Sequence, residues 1–417
     1  MASDEIENTA ANAAAGQAHI RACLGTETFV ADAARVEPRA LEHVKILLIG
    51  NYAPDDQESM QRYAELLQSG LLHAGHEVAF AAPRKMLNIA GRPPRGAWKW
   101  IGYADKYLMS PPMLSHAARG VDVVHICDHS NSIYVPTRGA VPYVVTCHDL
   151  LAVRGALGDD TDCPASTVGR QLQKQILRGL GRAHALACVS TATLQDARRL
   201  LNGYAGQIVL APNALNYPYG SIDRESASRR VSQIPGLGGD CAYVLHVGSN
   251  LRRKNRVAAV RAVASVADCW DGRIVFAGQP LDLELRGLAR ELGIAHRIVD
   301  VVKPSNELLD ALYRCALALL FPSRFEGFGW PIVEAQACDC PVICSDRDPL
   351  AEVSGGAAIL CGADDYIAQG RAIVRLATNP AARRALIVAG EQNSRRYSQS
   401  TMIEMLLALY RKVGAAT

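Results

Sequence analysis

The chain has 417 residues, of which 49% are hydrophobic and 20% charged, and its formal net charge is +3. This length predicts two domains with sizeable cores, and the near balance of basic and acidic residues excludes the strong basic excess typical of nucleic-acid-binding proteins. No run of 18 apolar residues occurs, and acidic residues near the start stand where a secretory signal would carry positive charge, so we expect a cytoplasmic protein without a membrane-spanning helix.

The first 43 residues are rich in alanine without sustained periodicity, which predicts a mobile tail or a weak helix. Short apolar runs then alternate with helical patterns, and the first helical pattern places Met60, Ala64, Leu67 and Leu71 on one face. Such runs are typical of strands buried on both faces of a parallel sheet. The predicted strands of this half are Val44–Gly50, Val78–Ala82, Val121–Ile126, Tyr143–Cys147 and Ala185–Ser190.

A stretch rich in proline, glycine and charge predicts a linker, after which the alternation restarts. The later predicted strands are Tyr243–Val247, Arg273–Ala277, Arg297–Val302, Leu317–Phe321, Val342–Cys344 and Ala357–Leu360. Two such series imply an α/β fold of two Rossmann-like, doubly wound domains that face each other across a cleft. The predicted boundaries are a tail at 1–43, a first domain at 44–213, a linker at 214–240, a second domain at 241–398 and a packed C-terminal helix at 399–417.

Several patterns that suggest other classes of protein are incomplete. Cys338, Cys340 and Cys344 lack a second ligand pair at zinc spacing, and most cysteines lie in apolar runs, where we expect small buried side chains. The Asp-x-Asp triplets at 160–162 and 346–348 do not stand in the order of elements that metal-dependent transferases use. No G-x-G-x-x-G follows the first strand, which disfavours a dehydrogenase.

The most informative segment is Phe321–Ala337, FPSRFEGFGWPIVEAQA, which begins where an apolar strand ends. Gly327 and Gly329 free the backbone to approach a ligand, and Pro331 suits the first position of a helix. The N-terminus of that helix favours an anion such as a diphosphate. Glu334 then falls in the first helical turn. Taken alone, such a glutamate is as often a capping residue, and glycine pairs are often only turns.

A second group of polar residues lies in Val247–Asn255, VGSNLRRKN, which follows the first strand of the second half and opens a helix. Arg253 and Lys254 stand near the helix start, where basic residues are disfavoured unless an anion is bound. A solvated basic turn is the alternative. In the first half, His148 follows a strand, although a lone histidine there is more often structural.

The cluster His125, Asp128 and His129 also ends a predicted strand of the first half. Since ligands of doubly wound sheets bind beyond the carboxyl ends of the strands, these side chains are candidates for an acceptor pocket. A structural role is the alternative.

Together these segments resemble the retaining glycosyltransferases of the GT-B fold, in glycosyltransferase family 4 and the glycosyl transferases group 1. EGFGWPIVE matches the Glu-x7-Glu motif of that family, and DPLAEVSGGAA resembles its next loop, with Glu352 and Val353 in place. The resemblance runs from about Val44 to the C-terminus and is stronger in the second half. Ser249 departs from the arginine of many members, and GNYAPDDQESM replaces the glycine pair that many carry after the first strand.

The resemblance implies an acceptor-binding first domain and a donor-binding second domain. It implies that Glu326 holds hydroxyls of the donor sugar, that Glu334 binds the ribose, and that His148 faces the donor sugar. The catalytic residues implied are Glu326, His148, Arg253 and Lys254, and the donor-binding residues are Arg253, Lys254, Glu326, Gly327, Phe328, Gly329, Trp330 and Glu334.

The implied reaction is transfer of a hexose from a nucleotide diphosphate sugar, of the UDP-glucose or GDP-mannose type, to a hydroxyl of a glycan or lipid-linked acceptor. The anomeric configuration would be retained, and the product would belong to a polysaccharide or glycoconjugate. We expect no metal and no other cofactor, because Arg253, Lys254 and a helix N-terminus can balance the charge of the leaving diphosphate. The alternatives are a nucleotide-sugar epimerase of the same fold and a non-catalytic homologue that binds sugar nucleotides.

Residues 84–107 combine basic and aromatic side chains, which favour anionic headgroups and the membrane interface, respectively. They are Arg84, Lys85, Arg92, Arg95, Lys99, Lys106, Trp98, Trp100, Tyr103 and Tyr107. The pattern predicts peripheral contact with the inner face of a membrane. An ordinary loop and helix with packed aromatic residues is the alternative.

Overall fold

The computed structural model describes residues 43–92, 96–238 and 241–414. The predicted tail up to residue 42 and Arg95 lie outside the described residues. From Val44 onward the chain forms two six-stranded parallel sheets with helices between the strands. The predicted α/β, doubly wound architecture is confirmed.

The first sheet has the strand order β2-β1-β3-β4-β5-β6. Its strands are β1 Lys45–Ile49, β2 Glu77–Ala81, β3 Val123–Ile126, β4 Tyr143–Cys147, β5 Ala185–Cys188 and β6 Gln207–Leu210. Its helices are α1 Glu58–His73, α2 Ala97–Ala104, α3 Ser110–Ala117, α4 Leu151–Leu157, α5 Thr167–Leu180 and α6 Thr191–Leu200. Short helical turns at Ala53–Asp55, Asp105–Met109 and His129–Tyr134 complete this domain.

The two edge strands of this sheet differ from the sequence prediction. β6 was not predicted, because one exposed residue and three residues of intermediate exposure give a short and weak apolar signal. β2 was predicted as a strand buried on both faces, but Phe80 is 48% exposed. An edge strand has a neighbour on one side only, so part of its apolar run stays in contact with solvent.

The second sheet has the order β12-β11-β10-β7-β8-β9. Its strands are β7 Tyr243–Gly248, β8 Arg273–Gly278, β9 Ile298–Val302, β10 Ala318–Phe321, β11 Val342–Ser345 and β12 Ile359–Cys361. Helices of the second half are α7 Arg224–Ser232, α8 Arg256–Ala264, α9 Leu283–Glu291, α10 Asn306–Cys315, α11 Trp330–Ala337, α12 Leu350–Ser354, α13 Tyr366–Thr378, α14 Pro380–Ser394 and α15 Gln399–Lys412. Short helical turns lie at Arg252–Lys254, Ala295–Arg297 and Arg395–Tyr397.

The segment predicted as a linker, 214–240, contains a helix of the second domain. Ala227 and Val231 of α7, and Leu237 after it, are buried in the same core as Leu312 and Val299. The helix was missed because its apolar residues are few: the outer face carries arginine, glutamate and serine, and this made the composition resemble a loop.

The last helix, α15, returns to the first domain and packs against α1. Gln399 donates hydrogen bonds from its side-chain amide to the Leu66 carbonyl at 2.8 Å and to the Ser69 hydroxyl at 2.9 Å. A Cβ atom on Gly70 would lie 2.7 Å from the Ile403 side chain, so a larger residue here would force that side chain to move. Helix α15 therefore belongs structurally to the first domain.

The strand order of each sheet identifies one crevice. In the first sheet the chain goes from β1 to one side with β2 and then to the other with β3, so the order reverses between β1 and β3. In the second sheet it reverses between β7 and β10. Ligands of open α/β sheets bind beyond the carboxyl ends of the strands at such points.

Candidate active site

The crevice of the second domain brings three predicted residues together. Lys254 lies in the loop after β7 and Glu326 in the loop after β10, and the Lys254 ammonium donates to the Glu326 carboxylate at 2.6 Å. Arg253 donates to the other oxygen of the same carboxylate at 3.0 Å and to the Phe325 carbonyl at 2.9 Å. Two cations thus share one anion, which leaves one positive charge in excess.

The charge of Glu326 is stabilised by this arrangement. Burial by itself would raise the pKa of its carboxyl, but the nearby Lys254 and Arg253 outweigh that effect and hold the pKa below its ordinary value. Glu326 is therefore a carboxylate at neutral pH, able to accept hydrogen bonds from hydroxyl groups.

The backbone of the two loops brings these side chains together. Gly248 ends β7 with a φ of 155°, and a Cβ atom there would lie 3.5 Å from Lys254 Cδ. Asn255 adopts a left-handed conformation, with φ of 53°, and its side-chain amide donates to the Ala363 and Pro322 carbonyls at 2.7 and 3.2 Å. Asn255 thus ties the basic loop to the loop that carries Glu326.

Helix α11 begins one residue earlier than predicted, at Trp330, after Gly329 in a left-handed conformation with φ of 102°. Pro331 is therefore the second residue of the helix. The prediction that Glu334 lies in the first turn is wrong, because it is the fifth residue. Its side chain points into the protein instead of capping the helix, and Glu334 is only 5% exposed.

The two glutamates of the motif lie in opposite electrostatic surroundings. Burial raises the pKa of Glu334 to about 7, even though the Tyr313 hydroxyl donates a hydrogen bond to its carboxylate at 2.8 Å. No lysine or arginine among the described residues forms an ion pair with Glu334. Glu326 is held ionised, whereas Glu334 changes its charge near neutral pH.

The motif loop reaches across to the first domain. A Cβ atom on Gly327 would lie 1.8 Å from the His148 carbonyl oxygen, so glycine is needed where the two loops meet. The Trp330 indole donates to the Ala214 carbonyl at 2.9 Å, and its ring lies 6.4 Å from that of His148. The motif loop of the second domain and His148 of the first domain are therefore in contact where the two domains meet.

One ring nitrogen of His148 has no hydrogen-bond partner within the protein. Nε2 lies 3.0 Å from the Cys127 carbonyl, which can only accept, so Nε2 carries the proton. Nδ1 is buried without a hydrogen-bond partner. Burial lowers the pKa of His148, so the ring is neutral at pH 7 and Nδ1 presents a lone pair.

The crevice of the first domain holds a cluster of three polar side chains: an amide, a carboxylate and an imidazole. The Asn51 amide, directly after β1, donates to Asp128 at 2.7 Å, and His129 Nδ1 lies 3.0 Å from the other oxygen of that carboxylate. Burial alone would raise the pKa of Asp128, but His129 holds it far below its ordinary value. His125, grouped with these residues in the sequence, is fully enclosed and does not line the crevice.

Comparisons with known proteins agree with this geometry. The family model Glycosyltransferase Family 4 matches residues 60–217, and the family model Glycosyl transferases group 1 matches residues 228–393. Together the two matches cover more than half of the chain. The chain belongs to the glycosyltransferase family that these two models describe, family 4 and group 1.

The chain resembles curated relatives over part of their length. It is 29% identical over 293 residues to a D-inositol 3-phosphate glycosyltransferase of Acidothermus cellulolyticus, a match that covers 66% of this chain and 62% of the relative. A relative of the same name from Mycolicibacterium paratuberculosis is 30% identical over 291 residues, again with 66% and 62% covered. The match spans less than two thirds of these relatives.

Solved structures support the fold of the chain. Sucrose-phosphate synthase from Thermosynechococcus elongatus superposes with a TM-score of 0.69 and 22% identity, covering 90% of this chain and 100% of that one. HepE from Anabaena, solved with UDP and glucose, gives a TM-score of 0.66 and 14% identity over 89% and 100%. At these identities the similarity establishes the GT-B fold alone.

Side chains of the Asp-x-Asp and cysteine patterns form hydrogen bonds within the protein. The Thr161 hydroxyl donates to the Leu151 carbonyl at 2.9 Å, and Cys338 Sγ lies 3.1 Å from Asp310. Within the described ranges, no group of three or more histidine, cysteine, aspartate or glutamate side chains is arranged to hold a metal ion, and no helix is long and apolar enough to cross a membrane. The cysteines among these residues are free.

Three residues of the site were not predicted from the sequence. Tyr313 reaches Glu334 from α10, Asn51 reaches Asp128 from the end of β1, and Tyr63 packs against His148 from α1. Asn51 could have been found, because it is the first polar residue after the first strand. Tyr313 and Tyr63 lie within helical patterns, where nothing distinguishes them from core residues.

Proposed function

We propose that the protein transfers a hexose from a nucleotide diphosphate sugar to an acceptor hydroxyl, with retention at the anomeric carbon. The donor would be of the UDP-glucose or GDP-mannose type, and the acceptor a hydroxyl of a glycan or lipid-linked sugar in polysaccharide or glycoconjugate synthesis. The observation that carries the proposal is the convergence of Arg253 and Lys254 on Glu326, at the strand-order reversal of the second sheet.

The cationic residues and the hydrogen-bond acceptors of the site have different roles in this proposal. Bond cleavage leaves negative charge on the diphosphate, and Arg253, Lys254 and the N–H groups at the start of α11 stabilise it electrostatically. Glu326 accepts hydrogen bonds from hydroxyls of the hexose, and the lone pair on His148 Nδ1 accepts another. Glu334 binds the ribose hydroxyls. In the front-face mechanism usual for this family, a donor phosphate oxygen takes the proton of the attacking hydroxyl, so no side chain serves as a covalent nucleophile.

A product assay tests the proposal. The protein is incubated with UDP-glucose and GDP-mannose, with and without glycan acceptors, and nucleotide release and the anomeric configuration of the product are measured by NMR. Release that requires an acceptor and gives the retained anomer supports the proposal. Interconversion of the sugar without an acceptor would identify an epimerase, and binding without turnover a non-catalytic homologue.

Metal independence is the first prediction. Since two basic side chains and a helix N-terminus are assigned to the diphosphate, turnover should change by less than about twofold in excess EDTA. The rate is measured with EDTA and then with added magnesium or manganese. Loss in EDTA with recovery on adding either cation would contradict the assigned role of Arg253 and Lys254.

We also propose peripheral membrane contact through residues 84–107. The exposure of Trp100 (61%) and Ile89 (78%) beside basic residues supports the proposal, because aromatic and apolar groups enter the interface while cations attract anionic lipids. Lys106 contributes less than its charge suggests, since it pairs with Asp55 at 2.9 Å.

Co-sedimentation with vesicles containing anionic lipid at low salt checks this second prediction. Trp100→Ala with Ile89→Ser should reduce binding by roughly tenfold, because each substitution removes apolar area that would be buried in the bound membrane. Leu283→Ser is the matched control, since Leu283 is 84% exposed in the second domain. Equal binding by all variants, or no binding by the unmodified protein, would contradict the proposed surface.

A further inference from the structure

A continuous hydrogen-bonded chain crosses the core of the first domain. The Tyr63 hydroxyl on α1 lies 2.8 Å from the Thr146 hydroxyl, and Thr146 lies 2.7 Å from His125 Nε2. His125 Nδ1 in turn bonds the hydroxyl of Tyr410 on α15. All four side chains are buried, so each of their polar atoms depends on its neighbour in the chain.

The chain ends against His148. The rings of Tyr63 and His148 meet edge to face, with their centroids 4.5 Å apart and their planes at 84°. Because Thr146 holds the Tyr63 hydroxyl, the tyrosine ring cannot tilt without breaking a buried hydrogen bond. The His148 ring is therefore held on two sides, by Tyr63 and by the Cys127 carbonyl, and its unpaired Nδ1 keeps one direction.

The other end of the chain lies in the terminal helix. His125 and Tyr410 also pack edge to face, with centroids 5.6 Å apart. The close contact of Ile403 with Gly70 and the hydrogen bonds of Gln399 fix α15 on α1 at a second point. A residue 285 positions from His125 in the sequence thus completes the support of a side chain in the cleft.

We propose that Tyr63 is a positioning residue for His148, and that Tyr410 of the terminal helix keeps Tyr63 in place through His125 and Thr146. The proposal rests on the function proposed above, in which His148 contacts the transferred sugar. In this proposal α15 supports a side chain of the first domain, although α15 follows the donor-binding domain in the sequence.

Removal of single hydroxyls tests the chain. Tyr410→Phe and Tyr63→Phe keep the aromatic rings, and each removes the hydroxyl at one end of the hydrogen-bonded chain. Each should lower kcat by roughly threefold to tenfold, which corresponds to the loss of one hydrogen bond. The affinity for the nucleoside diphosphate, which binds in the other domain, should not change. The double variant should lose little more than the worse single variant, because both act through His148.

Tyr243→Phe is the matched control. Tyr243 is equally buried, its hydroxyl donates to the Leu312 carbonyl at 2.7 Å, and it lies at the start of β7, the end of that strand away from the crevice. If Tyr63→Phe and Tyr410→Phe lower the melting temperature as Tyr243→Phe does but keep kcat, the chain is only structural and the proposal fails.

A second readout separates this proposal from the proposed function. Nitrogen-15 NMR of histidine-labelled protein reports which ring nitrogen of His148 carries the proton. Tyr63→Phe should broaden or shift the His148 signals even if no donor is turned over. Absence of transfer by the unmodified protein would refute the proposed function, whereas unchanged His148 signals in both variants would refute the positioning role.

Discussion

The two crevices occupy equivalent places in their sheets but differ in the charged and polar side chains that they contain. The second-domain crevice combines Arg253 and Lys254 with one carboxylate and has an excess of positive charge. In the first-domain crevice, Asn51 and His129 flank the carboxylate of Asp128. The position of a crevice thus follows from strand order, whereas its ligand depends on the loops.

The same contrast recurs within the motif itself. Glu326 and Glu334 have the same chemistry and lie eight residues apart, yet their pKa values move in opposite directions. Two cations stabilise the first carboxylate, and the second is buried with only hydroxyl and amide partners. A motif therefore specifies residue types, while the surroundings decide their charge.

The largest expected effect separates the two glutamates. Glu334→Ala should weaken nucleoside diphosphate binding by roughly 10–150-fold, because it removes hydrogen bonds between a charged group and the ribose. Glu326→Ala should leave that binding nearly intact and lower turnover, since the sugar is absent from the product nucleotide. Calorimetric titration of both variants measures the difference. Loss of nucleotide affinity in Glu326→Ala alone would reverse the assigned roles.

The pH dependence of nucleotide binding sharpens the comparison further. Glu334 has a pKa raised to about 7 and must be ionised to accept two ribose hydroxyls, so affinity should fall by up to about tenfold per pH unit below that value. Glu334→Gln should remove this dependence. Glu326→Gln should keep it, because the pKa of Glu326 lies below its ordinary value. Titrations between pH 5 and 8 provide the measurement.

The smallest expected effect concerns the first-domain crevice. Asp128→Asn keeps the size of the side chain but removes the charge, so we expect the acceptor KM to rise by roughly threefold to tenfold with nucleotide affinity unchanged. Asp122→Asn is the control, since Asp122 accepts from the Lys45 amide at the opposite end of β3. A change in nucleotide affinity instead would place Asp128 in donor binding.

Much of the fold was predictable because strong local signals specify it. Buried strands of parallel sheets are nearly continuous apolar runs, so β1, β3, β4 and β10 stand out in the sequence. The signal missed β6, which is short, and α7, whose outer face is polar; it found β2 but not the exposure of that edge strand. There the apolar pattern is diluted by contact with solvent.

The sequence by itself indicated the glycosyltransferase family and the two doubly wound sheets, because contiguous motifs and apolar strand runs carry them. It also predicted site residues in two separate loops, 247–255 and 321–337. Only the tertiary structure decided that Arg253 and Lys254 both form ion pairs with Glu326. It also decided that the Tyr313 hydroxyl bonds Glu334 and that the Tyr410 hydroxyl bonds His125. These contacts join residues up to 285 positions apart. The physical reason is that charge state and side-chain orientation depend on burial and on distant partners, which no local pattern contains.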